Sequence, residues 1–333
     1  MMKRRTFLAG AGAGVAAAVT GFPAIAQAPT KLRIGYLHGL ATDGPLWLAE
    51  TLGAFKDQGL AIETVQFVTG LEAYQALVGG SLDLVTTGAV ISNFPARGQG
   101  KAFLVNSIET ATGQLWGHPD QGVKTVADLK GKKIATSRGT TAHVLLHRAL
   151  QTAGIDSTRD IEIVHQQMGN AVTAFISGAV PAVATWIPFD AAIAKQAKGA
   201  VKIADAGDFP AASVVDGWSA RNDFHDGRKD VLKRFIKAWR PANDLLATRP
   251  DEAIAILHKT KFADFTVEQL QQQYKAARWR TAADWTGLYR DGSVTKWLNN
   301  VTDFNVEVGA FKNPVRAESY FDPALFLETI ASI

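Results

Sequence analysis

The stretch from residue 133 to residue 153, KIATSRGTTAHVLLHRALQTA, decides the fold class of this chain. Its first part, Lys133–Ser137, is typical of a short buried strand, and Ala142–Ala153 has the apolar spacing of an amphipathic helix. Strand-like and helix-like segments alternate in this way from residue 32 to residue 220, and the pattern after Asp223 is nearly all helical. Such alternation predicts an α/β fold with parallel strands and with helices on both faces of each sheet.

The turn between this strand and this helix is a candidate ligand site. Thr140 and Thr141 follow Gly139 and open the helix, where backbone N–H groups and two hydroxyls lie at the positive end of the helix dipole. A sulfonate, nitrate, sulfate-like or carboxylate group fits such donors. The alternative interpretation is ordinary capping of the helix by threonine.

The composition restricts the class of protein. The 333 residues are 47% apolar and 20% charged, which is ordinary globular usage and enough chain for two domains. There are 35 basic and 31 acidic residues, but three of the basic ones, Lys3, Arg4 and Arg5, lie in the first 28 residues, which carry no acid. The rest of the chain is close to neutral, so the charge gives no support for a nucleic-acid partner.

Residues 1–28 have the pattern of an export signal of the twin-arginine type. The row Arg4-Arg5-Thr6-Phe7-Leu8 precedes a mild apolar run that ends near Val19. Cleavage is expected after Ala26 or Ala28, and Pro29 favours Ala26. The chain has no cysteine, which excludes disulfides, a lipid-bearing cysteine and thiolate metal sites. We therefore expect the mature protein in the periplasm.

Two extended segments, Phe103–Thr110 and Ala212–Ala220, are candidates for crossings between two lobes. Each follows a completed run of strand–helix units. The prediction is that residues 29–106 and 214–333 form lobe one, that residues 107–213 form lobe two, and that a ligand cleft lies between them. Proteins of this topology close on a ligand by a hinge motion.

Five segments resemble the nitrate, sulfonate and taurine-binding proteins of ABC importers. The segment Ser137–His143, followed by Leu145 and Leu146, resembles the turn that opens a helix in that family. The other four have the family's order along the chain and are LVGGSLDLVTTG at 77–88, TVADLKGKK at 125–133, FISGAVPAVATWIPF at 175–189 and VDGWSARNDF at 215–224. The resemblance covers roughly residues 31–260.

This resemblance implies a two-lobed periplasmic binding protein of type II, in which each lobe is a mixed sheet flanked by helices. It implies a protein without catalytic activity or cofactor that captures a small organic anion, such as taurine, an aliphatic sulfonate or nitrate. The expected partner is the membrane permease of an ABC importer, and we expect a monomer. Two alternatives remain: the thiamine-pyrimidine synthase of the same superfamily, whose cysteine-rich motif is missing from this chain, and a ligand-presenting subunit of a sensor.

The residues expected to bind the ligand lie at strand ends, where sites of open α/β sheets are found. His38 ends the first strand, Thr87 and Gly88 form a second strand-to-helix turn, and Trp186 ends a strand shortly before Pro188. The full set of candidates is His38, Thr87, Gly88, Thr140, Thr141, Trp186 and Asp216. For His38 the alternative is a loop histidine, for Gly88 a plain tight turn, and for Trp186 a core aromatic.

Asp216 discriminates best between ligand classes. It lies in the apolar strand-like segment Val214–Ala220, where a carboxylate is costly unless it has a partner. An arginine or lysine of the chain could be that partner. The taurine-binding members carry an aspartate at the matching point, which implies a ligand ammonium there, with Trp186 over the methylenes.

Two further clusters have plainer interpretations. His143 and His147 are four residues apart on one helix, but Val144 stands where a zinc-protease motif has glutamate. No metal site is therefore predicted. Arg278-Trp279-Arg280 with Trp285 is either a solvated helix end whose aromatics pack into the core, or a cation near the cleft mouth.

Overall fold

The strands of this protein form two separate sheets. The computed structural model describes residues 28–333, so the predicted export signal lies outside the described residues except for Ala28. The strands in this range are β1 (Thr30–Tyr36), β2 (Leu60–Gln66), β3 (Leu84–Thr87), β4 (Lys101–Glu109), β5 (Gly113–Gly117), β6 (Lys133–Thr136), β7 (Glu162–His165), β8 (Ala182–Trp186), β9 (Val201–Asp205), β10 (Val214–Ala220) and β11 (Ala277–Arg278).

Helices pack around both sheets. Those in the described range are α1 (Leu40–Thr51), α2 (Ala54–Asp57), α3 (Gly70–Val78), α4 (Val90–Asn93), α5 (Thr141–Thr152), α6 (Met168–Ile176), α7 (Asp190–Gln196), α8 (Asn222–Gly227), α9 (Lys229–Thr248), α10 (Pro250–Thr260), α11 (Val267–Lys275), α12 (Ala282–Arg290), α13 (Ser293–Glu307), α14 (Ala317–Tyr320) and α15 (Pro323–Ala331). Within residues 28–333, none of them combines the length and hydropathy needed to cross a bilayer.

Both sheets are mixed. The first has the order β11-β4-β10-β3-β1-β2, in which β1 is parallel to β2 and β3, while β10 is antiparallel to β3 and β4. The second has the order β7-β6-β8-β5-β9, in which β6 is parallel to β7 and β8, while β5 is antiparallel to β8 and β9. The predicted fold class, with two lobes that each contain a mixed sheet, is confirmed.

Each sheet has its own hydrophobic core. We call the first sheet and its helices lobe one, and the second sheet and its helices lobe two. Lobe one buries the large aromatics Trp218, Phe235 and Trp239 between the sheet and its helices. Lobe two buries a separate cluster that includes Leu145 of α5 and Phe175 of α6. Burial of these apolar faces is the main source of stability, since the chain has no disulfide.

Two connections join the lobes. Strand β4 stays in the first sheet until Glu109, and β5 of the second sheet begins at Gly113, so the chain crosses at residues 110–112. The predicted boundary after residue 106 falls inside β4, because this strand continues its pairing with β10 up to Glu109. On the return, β10 begins at Val214, where lobe one was predicted to resume. The boundaries of the moving units, and the hinge motion itself, remain predictions.

Side chains of α13 and α5 also link the lobes away from these crossings. Glu307 of α13 pairs with Arg148 of α5 at 2.6 Å and with His147 Nε2 at 2.7 Å. Beside these ion pairs, Phe304 of α13 packs against Val144 of α5. The middle of α5 is thus attached to lobe one.

Candidate functional site

A cavity of about 310 Å³ lies between the two lobes. Its wall is made mainly by the residues that follow β1, β3, β6 and β8, which are Leu37–Thr42, Gly88–Val90, Thr140–Thr141 and Ile187–Phe189. Strands β1 and β3 are parallel neighbours in one sheet, and β6 and β8 are parallel neighbours in the other. The carboxyl ends of both parallel pairs therefore face one another across the cavity, where open α/β sheets bind ligands.

Six of the seven predicted site residues line this cavity. They are His38, Gly88, Thr140, Thr141, Trp186 and Asp216. Thr87 does not, because its side chain lies in the interior of lobe one, with its methyl carbon 3.1 Å from the point where a Cβ on Gly70 would lie. The structure also adds polar residues that the sequence analysis did not single out, among them Glu109 and Gln273.

Asp216 and Glu109 form a buried pair of acids at the cavity. Asp216 has no exposed surface, and Glu109 is 6% exposed. The Ser107 hydroxyl donates to Asp216 Oδ2 at 2.9 Å, while the hydroxyls of Thr141 and Thr112 donate to Glu109. Asp216 Oδ1 has no hydrogen-bond partner among the described residues. The neighbouring carboxyl group of Glu109 is close enough to share a proton with Asp216.

The protonation of the two acids follows from their surroundings. Burial raises the pKa of Asp216 well above its usual range, and the negative charge of Glu109 raises it further. Burial likewise raises the pKa of Glu109, although hydrogen bonds to its carboxyl group act in the opposite direction. Two neighbouring carboxylates in a medium of low dielectric constant repel each other strongly, which favours one shared proton on the pair.

Gly88 allows these groups to approach each other. A Cβ at this position would overlap Glu109 Oε1, and it would lie 2.8 Å from Thr141 Oγ1 and 3.2 Å from Asp216 Oδ1. Any residue other than glycine would therefore push the acid pair and Thr141 apart. The binding of a ligand by Gly88 stays a prediction, but the lack of a side chain at this position has a clear packing reason.

The hydroxyls of Thr140 and Thr141 have partners within the protein. Thr140 Oγ1 donates to the Ser137 carbonyl at 2.7 Å. Thr141 Oγ1 accepts from the Ala89 N–H and donates to Glu109 Oε1, both at 3.3 Å. These hydrogen bonds compete with the predicted role of the two hydroxyls in binding the ligand's anionic group, because Thr141 already donates to a carboxyl group.

The start of α1 forms a second polar turn on the cavity wall. The carboxylate of Asp43 accepts from the N–H groups of Leu37 and Gly39, with Oδ2 at 3.2 Å and 2.9 Å. Burial raises the pKa of Asp43 to about 6. Gln273 of α11 completes the turn, since its Oε1 accepts from the Leu40 N–H at 2.9 Å.

Aromatic rings enclose the cavity at His38 and at Trp186. The His38 ring stacks on Phe262 and Phe265, with centroids 4.9 Å and 5.3 Å away, and His38 Nε2 lies 2.9 Å from Asp264 Oδ2. On the side of lobe two, Trp186 meets Phe189 edge to face at 5.6 Å. The predicted position of both residues on the wall agrees with the structure, and their contacts with a ligand remain predictions.

No lysine or arginine of the described residues lines the cavity. Arg278 and Arg280 are not on its wall, and Trp279 between them is 7% exposed and stacks on Tyr274 at 5.6 Å. Trp285 is fully buried. The cluster therefore agrees with the packing interpretation and not with a cation at the cleft mouth. Among residues 28–333, no group of three or more histidine or acidic side chains is placed to hold a metal.

Comparison with known proteins identifies relatives over nearly the whole chain. The chain is 31% identical over 322 residues, 96% of its length and 98% of the relative's, to a protein of Brucella abortus (strain 2308) described as a candidate binding protein. The taurine-binding periplasmic protein of Escherichia coli (strain K12) is 26% identical over 203 residues, which are 59% of this chain and 61% of that protein.

A solved structure has the same fold. The alkanesulfonate-binding protein SsuA from Xanthomonas axonopodis pv. citri, bound to MOPS, superposes with a TM-score of 0.70 at 22% identity and covers 88% of this chain and 98% of that one. The family model described as "NMT1/THI5 like" matches residues 42–253. These matches confirm the resemblance that the five sequence segments indicated. The chain therefore belongs to the NMT1/THI5-like family, whose model matches well over half of its length.

Proposed function

We propose that this protein is a periplasmic substrate-binding protein that captures a small zwitterion, an aminosulfonate such as taurine or a related amino acid, and delivers it to the permease of an ABC importer. One observation carries the choice of ligand. The cavity wall contains two buried carboxyl groups, Asp216 and Glu109, and no lysine or arginine of the described residues faces them.

A buried carboxylate is costly unless a cation or several donors stabilise it. Here the protein supplies hydroxyl donors, but no N–H or hydroxyl group of the described residues donates to Asp216 Oδ1. A ligand ammonium would replace the proton of the acid pair and donate to this oxygen. Hydrogen bonds between charged groups contribute roughly 1.5–3 kcal/mol each. A simple anion such as nitrate or an alkanesulfonate would instead be repelled by the same carboxylates.

The size and the walls of the cavity suit such a ligand. Its volume of about 310 Å³ is at the lower end of the range for small-molecule sites. Trp186 and Phe189 on one side and Phe265 on the other provide apolar cover for a short carbon chain. MOPS, which occupies the related SsuA, itself joins an amine to a sulfonate.

Export and delivery rest on other observations. The twin-arginine pattern at residues 4–8 supports the periplasmic location, as does the name of the Escherichia coli relative. The cavity between two lobes supports capture by closure, which a permease can reverse. The relatives are named for binding, and we propose binding without chemical conversion of the ligand.

The decisive experiment is titration calorimetry with taurine and ethanesulfonate, which share a sulfonate and differ in the amine. We expect the wild type to bind taurine at least tenfold more tightly, a difference of about 1.4 kcal/mol. Asp216→Asn should remove most of this preference, because the amide cannot carry the negative charge that pairs with the ammonium. Equal binding of the two ligands by the wild type, or an unchanged preference in the variant, would contradict the proposal.

A further inference from the structure

Gln273 has an amide group that the protein uses only in part. The residue is 4% exposed and lies on the cavity wall, although it belongs to α11, far along the chain from most of the other wall residues. Its Oε1 is held by the Leu40 N–H at 2.9 Å, whereas its Nε2 has no hydrogen-bond partner among the described residues. A buried donor without a partner lowers the stability of the fold, so this amide is available to an acceptor on a ligand.

The same amide lies at the start of α1, a helix of 12 residues. The Leu40 N–H of the first turn bonds to Gln273, and the Asp43 N–H bonds to the Gly39 carbonyl. The N–H groups of Ala41 and Thr42, which lie between them, have no acceptor within the described part of the chain. Both residues line the cavity, and the positive end of the helix dipole favours negative charge at this point.

We propose that Gln273 Nε2 and the N–H groups of Ala41 and Thr42 bind the anionic group of the ligand. The inference rests on the proposed function and deepens it, because it fixes the orientation of the zwitterion. The ammonium lies on Asp216 and Glu109, and the sulfonate or carboxylate lies at the start of α1.

The start of α5 is the competing place for the anionic group, and its chemistry is less suitable. The Thr141 hydroxyl there donates to Glu109 Oε1 at 3.3 Å, so an anion at this turn would lie close to the acid pair. At the start of α1 the nearest buried acid, Asp43, accepts from the Leu37 and Gly39 N–H groups. At the start of α1, Gln273 also supplies a free N–H donor, whereas the Thr140 and Thr141 hydroxyls at the start of α5 already donate within the protein.

The variant Gln273→Glu tests this assignment. Glutamate has the same shape, and one of its oxygens can still accept from the Leu40 N–H, but it replaces the free donor by a negatively charged acceptor. Gln269→Glu is the matched control, since Gln269 lies one turn earlier on α11, is not on the cavity wall and uses its Oε1 to accept from the Thr266 N–H. Taurine affinity at pH 8 should fall at least tenfold in Gln273→Glu and change by less than about twofold in Gln269→Glu.

A measurement on the wild type keeps the test independent of how well the variant folds. In an NMR titration with taurine, the side-chain NH₂ signals of Gln273 should shift as the site fills, and those of Gln269 should not. If the wild type binds no taurine, the proposed function fails. If it binds taurine while the Gln273 amide signals stay unchanged, or while Gln273→Glu binds as tightly as the wild type, the orientation proposed here is wrong and the proposed function stands.

Discussion

The two lobes contribute unlike walls to the cavity. Lobe one supplies all of the ionisable groups on the wall, His38, Glu109 and Asp216, together with the amide of Gln273. Lobe two supplies hydroxyls and apolar side chains, chiefly Thr140, Thr141 and the segment Trp186–Phe189. Under the proposed function, lobe one would distinguish ligands by charge, and lobe two would cover them and exclude water.

The same asymmetry extends behind the cavity wall. Among residues 28–333, the buried carboxyl groups are Asp43, Asp83, Glu109 and Asp216, and all four belong to lobe one. Burial raises the pKa of three of them. Lobe one therefore gives up stability for these acids, and we expect both this cost and the ligand selectivity to lie in that lobe.

The largest effect is expected from pH acting on Asp43. Its pKa is raised from about 3.8 in the unfolded chain to about 6, so the folded state holds the proton more tightly. The stability that comes from this proton is complete below pH 4 and is lost as the pH rises through 6. The difference corresponds to about 3 kcal/mol in the free energy of unfolding.

Urea unfolding at pH 4 and pH 7 measures this effect when the wild type is compared with Asp43→Asn. The amide oxygen can still accept from the Leu37 and Gly39 N–H groups, because a single oxygen, Oδ2, accepts from both. The wild type should lose stability relative to the variant as the pH rises. Parallel stabilities of the two proteins at both pH values would show that Asp43 does not titrate in this range.

The next largest effect is expected from Gly88→Ala. The added methyl group would overlap Glu109 Oε1 and crowd Thr141 Oγ1 and Asp216 Oδ1, so the acid pair must move. Taurine affinity should fall about a hundredfold, or about 2.7 kcal/mol. Gly287→Ala is the control, because a methyl group there meets no atom within 4 Å. Calorimetry that finds both variants binding as the wild type does would show that the acid pair tolerates displacement.

The smallest effect is expected from Thr141→Val, which tests the one hydroxyl of lobe two that serves the acids of lobe one. Loss of its hydrogen bond to Glu109 should lower taurine affinity about fivefold, or about 1 kcal/mol, and leave ethanesulfonate binding almost unchanged. Thr140→Val is the control, since that hydroxyl donates to Ser137 instead. An equal loss of affinity for both ligands in Thr141→Val would place the anionic group at the start of α5.

Local patterns were sufficient to predict the fold and most of the wall. The strand–turn–helix segment at 133–153 forms β6 and α5 as expected, because its apolar spacing and its glycine are short-range signals. His38 and Trp186 were identifiable as polar or aromatic residues near strand ends, and Asp216 as a carboxylate inside an apolar strand.

Residues that depend on tertiary contacts could not be predicted in this way. Glu109 is the last residue of an apolar strand. It lies beside Asp216 only because β4 pairs with β10, a strand about a hundred residues away in the sequence. Gln273 is the last of three consecutive glutamines, and only the docking of α11 against α1 decides which of them is buried. The Thr141 hydroxyl donates to Glu109, so this hydrogen bond could not be predicted from the sequence either.

The ion pairs of Glu307 with Arg148 and His147 attach α5 to lobe one at a point about which the helix could rotate. Arg148 is fastened to lobe one, and Thr141 at the other end of the arm touches Ala89 and Glu109. Seven residues of helix separate the two points, an arm of about 10 Å at 1.5 Å per residue. If the lobes part about this fastening, a rotation of about 10° moves Thr141 by about 2 Å. Such a movement would break the 3.3 Å hydrogen bonds of Thr141 with Ala89 and Glu109 and remove a donor from the acid pair. Opening of the cleft would then itself weaken the binding of the ligand.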